Sequence, residues 1–153
     1  MSNFYLEVAR LPVRLVGLDG ASFSAQLFLH KTDDHPSGRE TLGERLNRPH
    51  VRFVPFEVEG RVELVNLHWV AYVQHDQPLP EVAAHADLGG RREPVRIRLR
   101  SGELLDGDLL YLFTGDGNRV LDRVNSNAER FLLLVSGDTS CYVNVDAVAS
   151  LWT

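Results

Sequence analysis

An internal duplication constrains this chain more than any other feature. Pro12-Val13-Arg14-Leu15, followed by Gly20, reappears in the second half as Pro94-Val95-Arg96-Ile97, followed by Gly102. Glu44-Arg45-Leu46-Asn47 reappears, at a slightly shorter offset, as Asp122-Arg123-Val124-Asn125. At that second offset Arg52-Phe53 matches Arg130-Phe131, Val65-Asn66 matches Val143-Asn144, and Val70 matches Val148. One short insertion in a loop explains the change of offset. The chain therefore reads as two copies of a unit of about 60 residues. Unit one with its lead-in covers residues 1–73, and unit two covers residues 93–153. Residues 74–92 form a linker with Pro78, Pro80, Gly89 and Gly90, in which Glu81–Ala86 has room for one helical turn at most. A unit this small buries only a modest share of its surface, so the two must pack on each other or on another chain.

Both units read as β. In unit two, Val95, Ile97 and Leu99 alternate with Arg96, Arg98 and Arg100, the period of a half-buried strand. Ser101-Gly102 supplies a turn, and Leu104–Phe113 a second strand in which Gly107 marks a bulge or sharp bend. Arg119–Asn125 has the spacing of a short helix. Phe131–Val135, Ser140–Val145 and Val148–Trp152 follow as strands. Unit one repeats the series with Val13–Leu18, Phe23–Leu29, Val51–Val58, Val62–Asn66 and Val70–Val73, after a lead-in that alternates as a strand over residues 1–10. Five short strands with one helical turn describe a small barrel, so the expected architecture is two tandem barrels.

These residues resemble the Sm-like family of small β-barrels within the wider SH3-like group. Gly102, Gly107 and Leu109 match the start of the first Sm motif, and Asp122-x-Val124-Asn125 is similar to its second part. Val143-Asn144-Val145-Asp146-Ala147-Val148 has the frame of the second motif, with Asn-Val where that family has Arg-Gly; unit one carries Val65-Asn66-Leu67 there. The chain also resembles uncharacterised bacterial Sm-like domains, a family with no activity attached. The resemblance implies Asn47 and Asn125 as counterparts of the Asn in a uridine pocket, but the Arg of that pocket is absent from both units.

The repeated acid–Arg–apolar–Asn turns are the candidate contact residues: Glu44, Arg45 and Asn47 in unit one, Asp122, Arg123 and Asn125 in unit two. Carboxylate and guanidinium can face a partner, and the Asn can read a base edge or a peptide amide. The competing structural reading has Asn ending a helical turn in the left-handed conformation. Leu109–Phe113 and Phe131–Val135 are apolar on both faces and need cover on both, which makes Leu110 and Leu133 candidate interface residues. Unit one has Pro55 in the position of Leu133, which predicts an edge or bulged strand there and puts the main association surface on unit two.

Other chemistry is not expected. The six histidines lack metal-ligand spacing, and Cys141 stands alone in an apolar strand. No catalytic constellation, phosphate loop, dinucleotide fingerprint or cofactor motif is present. The net charge of -5 disfavours nucleic acid as partner, and Arg96, Arg98 and Arg100 lie near Glu103, Asp106 and Asp108, which cancel their field. No apolar run approaches the ~18 residues of a membrane span, and the N-terminus does not read as a secretory signal, so a cytoplasmic location is expected. The expected function is a non-catalytic scaffold or adaptor that binds protein partners, or itself, through barrel edges. The alternatives are an RNA-binding Sm-like ring of three chains, and a small-ligand sensor with a cleft between the units.

Overall fold

The computed structural model describes residues 8–111, 120–125 and 129–153, apart from the side chains of Asp122 and Arg123. Unit one comprises strands β1 (Val8–Gly17) and β2 (Ser22–His30), helix α1 (Leu42–Leu46), and strands β3 (Phe53–Val58), β4 (Arg61–Asn66) and β5 (Val70–His75). Helix α2 (Pro80–Asp87) follows. Unit two comprises β6 (Arg91–Leu99), β7 (Leu104–Tyr111), α3 (Val120–Asn125), β8 (Phe131–Ser136), β9 (Thr139–Asn144) and β10 (Val148–Trp152). A single 3₁₀ turn, Val145–Ala147, sits between β9 and β10.

The fold is mainly β, as the alternation predicts. All ten strands of the described residues belong to one antiparallel sheet in the order β10-β6-β7-β8-β9-β5-β1-β2-β3-β4. That sheet is not closed: β10 and β4 are its two ends. The expected two tandem barrels do not appear as closed units; the strands form one continuous ladder, in which β5 of unit one pairs with β9 of unit two, Tyr72 opposite Val143 and Val73 opposite Tyr142.

Strand register recurs at the two sequence offsets. Ala25 pairs with Val13 in the first hairpin, and Gly107 pairs with Val95 in the hairpin that repeats it. The pairs Phe53–Asn66 and Phe131–Asn144 correspond in the same way at the second offset. Even the irregularity where β5 leaves Gly17 recurs where β10 leaves Leu99. The tight turns at Gly20 (φ 84°) and Gly102 (φ 94°) both use the left-handed region, which glycine enters without a Cβ clash.

Three local expectations change. Gly107 makes no bulge, since β6 and β7 pair without a shift from Arg91–Tyr111 to Arg98–Leu104. Its glycine serves close approach instead: a Cβ there would lie 2.8 Å from the Val135 carbonyl oxygen and 3.1 Å from Leu134 Cγ. Gly107→Ala should push β7 from β8 and lower stability by about 2 kcal/mol in urea unfolding. Pro55 does not mark the edge either. Its strand, β3, has β4 outside it, and the β2–β3 ladder covers only Phe56 and Glu57, leaving the position without an N–H outside that ladder. The linker holds two helical turns rather than one, opened by Pro80 at the first helical position, where its missing N–H costs nothing. Residues 1–7, 112–119 and 126–128, including most of the lead-in strand, lie outside the described residues.

Each core borrows from the other half. Leu11, Leu15, Leu27, Phe56 and Leu67 of unit one pack with Phe131 and Tyr142 of unit two, and with Leu79 ahead of α2. Ile97, Leu99, Leu109 and Val143 of unit two pack with Val16, Ala71 and Tyr72 of unit one. Neither half keeps its apolar surface to itself, so apolar burial couples the halves. Among the described residues no helix is long and apolar enough to cross a membrane.

Candidate functional site

The first acid–Arg–Asn turn forms helix α1 and its exit. Thr41 caps the helix by accepting from the Glu44 N–H at 3.0 Å, and its hydroxyl donates to Glu44 Oε1 at 3.2 Å. Glu44 Oε2 lies 3.0 Å from His35 Nε2. Arg45 is largely buried, its Nε 3.9 Å from Glu40 Oε1, and burial lowers its pKa against the opposing pull of that carboxylate. Glu40 also accepts from the His30 N–H and from Arg48. Glu44 and Arg45 are thus engaged within unit one.

Asn47 has the more telling partner. It ends helix α1, its N–H donating to the Gly43 carbonyl at 2.9 Å, but with φ −99° rather than in the left-handed conformation expected of it. Its Oδ1 accepts from the Phe131 N–H at 2.8 Å, and its Nδ2 donates to the Phe131 carbonyl at 3.1 Å. Both groups are main-chain groups of one residue, and that residue belongs to unit two of the same chain. Asn144 answers from the other side of the joint. Its Nδ2 donates to the carbonyls of Val70 (2.9 Å) and Leu67 (3.4 Å), and its Oδ1 accepts from the Asp146 N–H. Arg130 donates to the Val51 carbonyl at 3.4 Å.

Helix α2 straps this joint, a feature absent from the sequence-based expectations. Glu81 Oε2 accepts from the Tyr142 hydroxyl at 2.7 Å and from the Gly43 N–H at 3.0 Å, tying linker, unit two and unit one together. Burial, then the Glu81 carboxylate, holds the Tyr142 phenol well above its ordinary pKa. Gly43 admits the phenol because a Cβ there would sit 2.6 Å from the hydroxyl. The available signal was a glycine inside the α1 helical turn; its partners, Glu81 and Tyr142, are remote in sequence and leave no local trace.

The remaining candidates fall in unit two. Leu110 is buried, and Leu133, opposite it across the β7–β8 ladder, packs on the core of unit one. Over the described residues of the two apolar runs, 109–111 and 131–135 are buried within the chain, Leu133 only partly. Asn125 is exposed at the end of α3, and the side chains of Asp122 and Arg123 lie outside the described set. The basic stripe is partly paired: Arg96 meets Asp106 at 2.9 Å, Arg92 meets Asp108 at 3.3 Å, and Arg98 lies over the Trp152 ring at 5.1 Å.

A cleft of about 380 Å³ opens between the halves beside Asn47. Arg48, His50 and Arg130 line it together with Glu129 and Asp146, and no Phe, Tyr or Trp is among its described lining residues. Its charge is mixed, and it offers no aromatic stacking surface of the kind single-stranded nucleic acid uses.

Among the described residues, a group of exposed apolar side chains lies together on unit one. Phe53 (53% exposed), Val62 (62%) and Leu64 (68%) flank the β4 edge. Phe53 pairs with Asn66, Pro55 with Leu64 and Glu57 with Val62, which puts all six residues on one face of the β3–β4 hairpin.

Cys141 faces the joint beside Gln74. Burial first, then the carboxylates of Asp76 and Glu103, push its thiol up to about 12. Native protein at pH 8 should resist iodoacetamide and label only on unfolding. The unfolded thiol ionises near its ordinary value of 9.0 while the folded one keeps its proton, so this contribution to stability is present below pH 9 and lost as pH climbs toward about 12. The raised phenols of Tyr72 and Tyr142 act in the same direction above their ordinary value of 10.0. A melting series from pH 8 to 11 should show a falling midpoint.

Comparison with family models, curated proteins and solved structures returns no match to the chain.

Proposed function

We propose that this chain is a non-catalytic scaffold or adaptor, built from two units resembling Sm-like or SH3-like barrels, that binds protein partners through its open sheet edges. The observation that carries this reading is the uncovered face at β4, where Phe53, Val62 and Leu64 stand beside an edge strand that has pairing capacity left. An open edge presents unpaired N–H and C=O groups that an added strand can use, while apolar side chains next to it supply contact area. Asn47 of the first acid–Arg–Asn turn supports the scaffold by holding the halves together, Glu44 and Arg45 are engaged within unit one, and contact residues belong to the edges.

A photo-reactive phenylalanine analogue placed at position 64 or, as a control, at exposed Leu88 tests this in the producing cells. Discrete protein adducts at 64, absent at 88 and lost when Val62→Lys charges the edge, are expected. Equal adduct formation at both positions, or none at 64, would overturn the reading.

A further inference from the structure

We infer that the partner of the β4 edge is a second copy of this chain, whose β10 adds to β4 in the register that joins β5 to β9 within one chain. This rests on reading the open edges as contact surfaces, and names what occupies them.

The argument is one of matched ladders. Eight of the nine strand pairings form four pairs related by the duplication, down to the shared irregularity at β5 and β10. The ninth, β5 with β9, has no counterpart inside the chain. The strands that correspond to β5 and β9 are β10 and β4, the two ends of the sheet. Carrying the β5–β9 register across places Ser150 opposite Val65, Leu151 opposite Leu64 and Trp152 opposite Glu63.

The side chains around the two edges agree. Phe53, Val62 and Leu64, each more than half exposed, correspond to Phe131, Ser140 and Tyr142, which the internal joint buries. The polar anchors are present as well. Asn66 makes the same turn to the His68 N–H that Asn144 makes to Asp146, and occupies the position from which Asn144 donates across the joint to Val70; the corresponding acceptor is Val148 of the next copy. Asn125, exposed at the end of α3, corresponds to Asn47 and would grip the Phe53 peptide as Asn47 grips that of Phe131. Much of the internal joint thus has a counterpart at the open ends; the exceptions are the α2 strap, the Tyr142 hydroxyl, the Tyr72–Glu103 hydrogen bond, whose corresponding residues are Ser150 and Ala21, and the Cys141–Gln74 contact, whose corresponding residues are Glu63 and Trp152. Because β4 and β10 are different surfaces, the contact is head-to-tail: copies add in one direction, into a ring if the rotation closes and a filament if it does not.

Purified protein carrying Leu64→Cys and Leu151→Cys in a Cys141→Ser background tests the register. Directly opposed residues on antiparallel strands lie within reach of a disulfide, while a pair displaced further along the strand does not. Oxidation should give a covalent series of dimer, trimer and larger species; Leu64→Cys with Ala149→Cys, and each single cysteine, should not. Light scattering on cysteine-free protein adds a second readout: Leu64→Lys, at an exposed site, should weaken association at least about tenfold with an unchanged far-UV spectrum. Monomer at the highest soluble concentration with no register-specific cross-link would overturn self-assembly. In that case specific adducts at position 64 in cells would leave the scaffold reading standing with another partner, and their absence would remove both. Disulfide dimers formed by Leu64→Cys alone would point to a two-fold contact and overturn the head-to-tail arrangement.

Discussion

Phe131→Ala should destabilise the whole chain by about 4 kcal/mol, and it should do so through unit one as much as unit two. Phe131 starts β8 of unit two but is fully buried against the core of unit one. Its removal opens a cavity where the halves meet, and facing main-chain segments are too firmly paired to collapse into it. The two tryptophans separate the outcomes, since Trp69 belongs to unit one and Trp152 to unit two. In a Trp152→Phe background, urea unfolding followed by Trp69 fluorescence should shift by the same free energy as the far-UV signal. A Trp69 transition indifferent to Phe131→Ala would mean that the halves fold independently.

Asn47→Ala should cost about 3 kcal/mol, because it strips partners from two main-chain groups of one buried residue. The Phe131 N–H and carbonyl face unit one and receive Asn47 there, at 2.8 and 3.1 Å. Each polar group left buried without a partner carries its full desolvation penalty, which exceeds the net value of a hydrogen bond made in exchange with water. Asn47→Asp should fare little better: it keeps the acceptor for the N–H but sets an oxygen against the carbonyl. Asn125→Ala is the contrast. It occupies the same place in the repeat but is exposed, so dilute protein should lose no more than about 0.5 kcal/mol. Similar losses at both positions in dilute protein would contradict the clamp assigned to Asn47.

The strand alternation makes the mainly β architecture legible in the sequence, because it depends on near neighbours along the chain. The glycine turns at 20 and 102 are legible for the same reason. What escapes is tertiary. Gly107 reads as a bulge by its position in a strand, and only the approach of the Val135 carbonyl shows why a side chain is excluded. Pro55 reads as an edge marker, yet the strand outside it cannot be known from its own sequence. Glu81 and Tyr142 are 61 residues apart and meet because the linker folds back over the joint. The apolar runs around Leu110 and Leu133 announce a need for cover but not who provides it. Of the candidate contact residues, Asn47 meets the main chain of Phe131 within the chain, and that contact depends on a strand pairing that no local pattern encodes.

Amide hydrogen exchange, followed residue by residue at low and high protein concentration, tests most directly whether the open ends are contact surfaces. The β5–β9 ladder should be protected at every concentration, while amides of β4 and β10 should gain protection only as concentration rises, both ends together. Exchange at β4 and β10 that stays the same at all concentrations would contradict a joint repeated between copies.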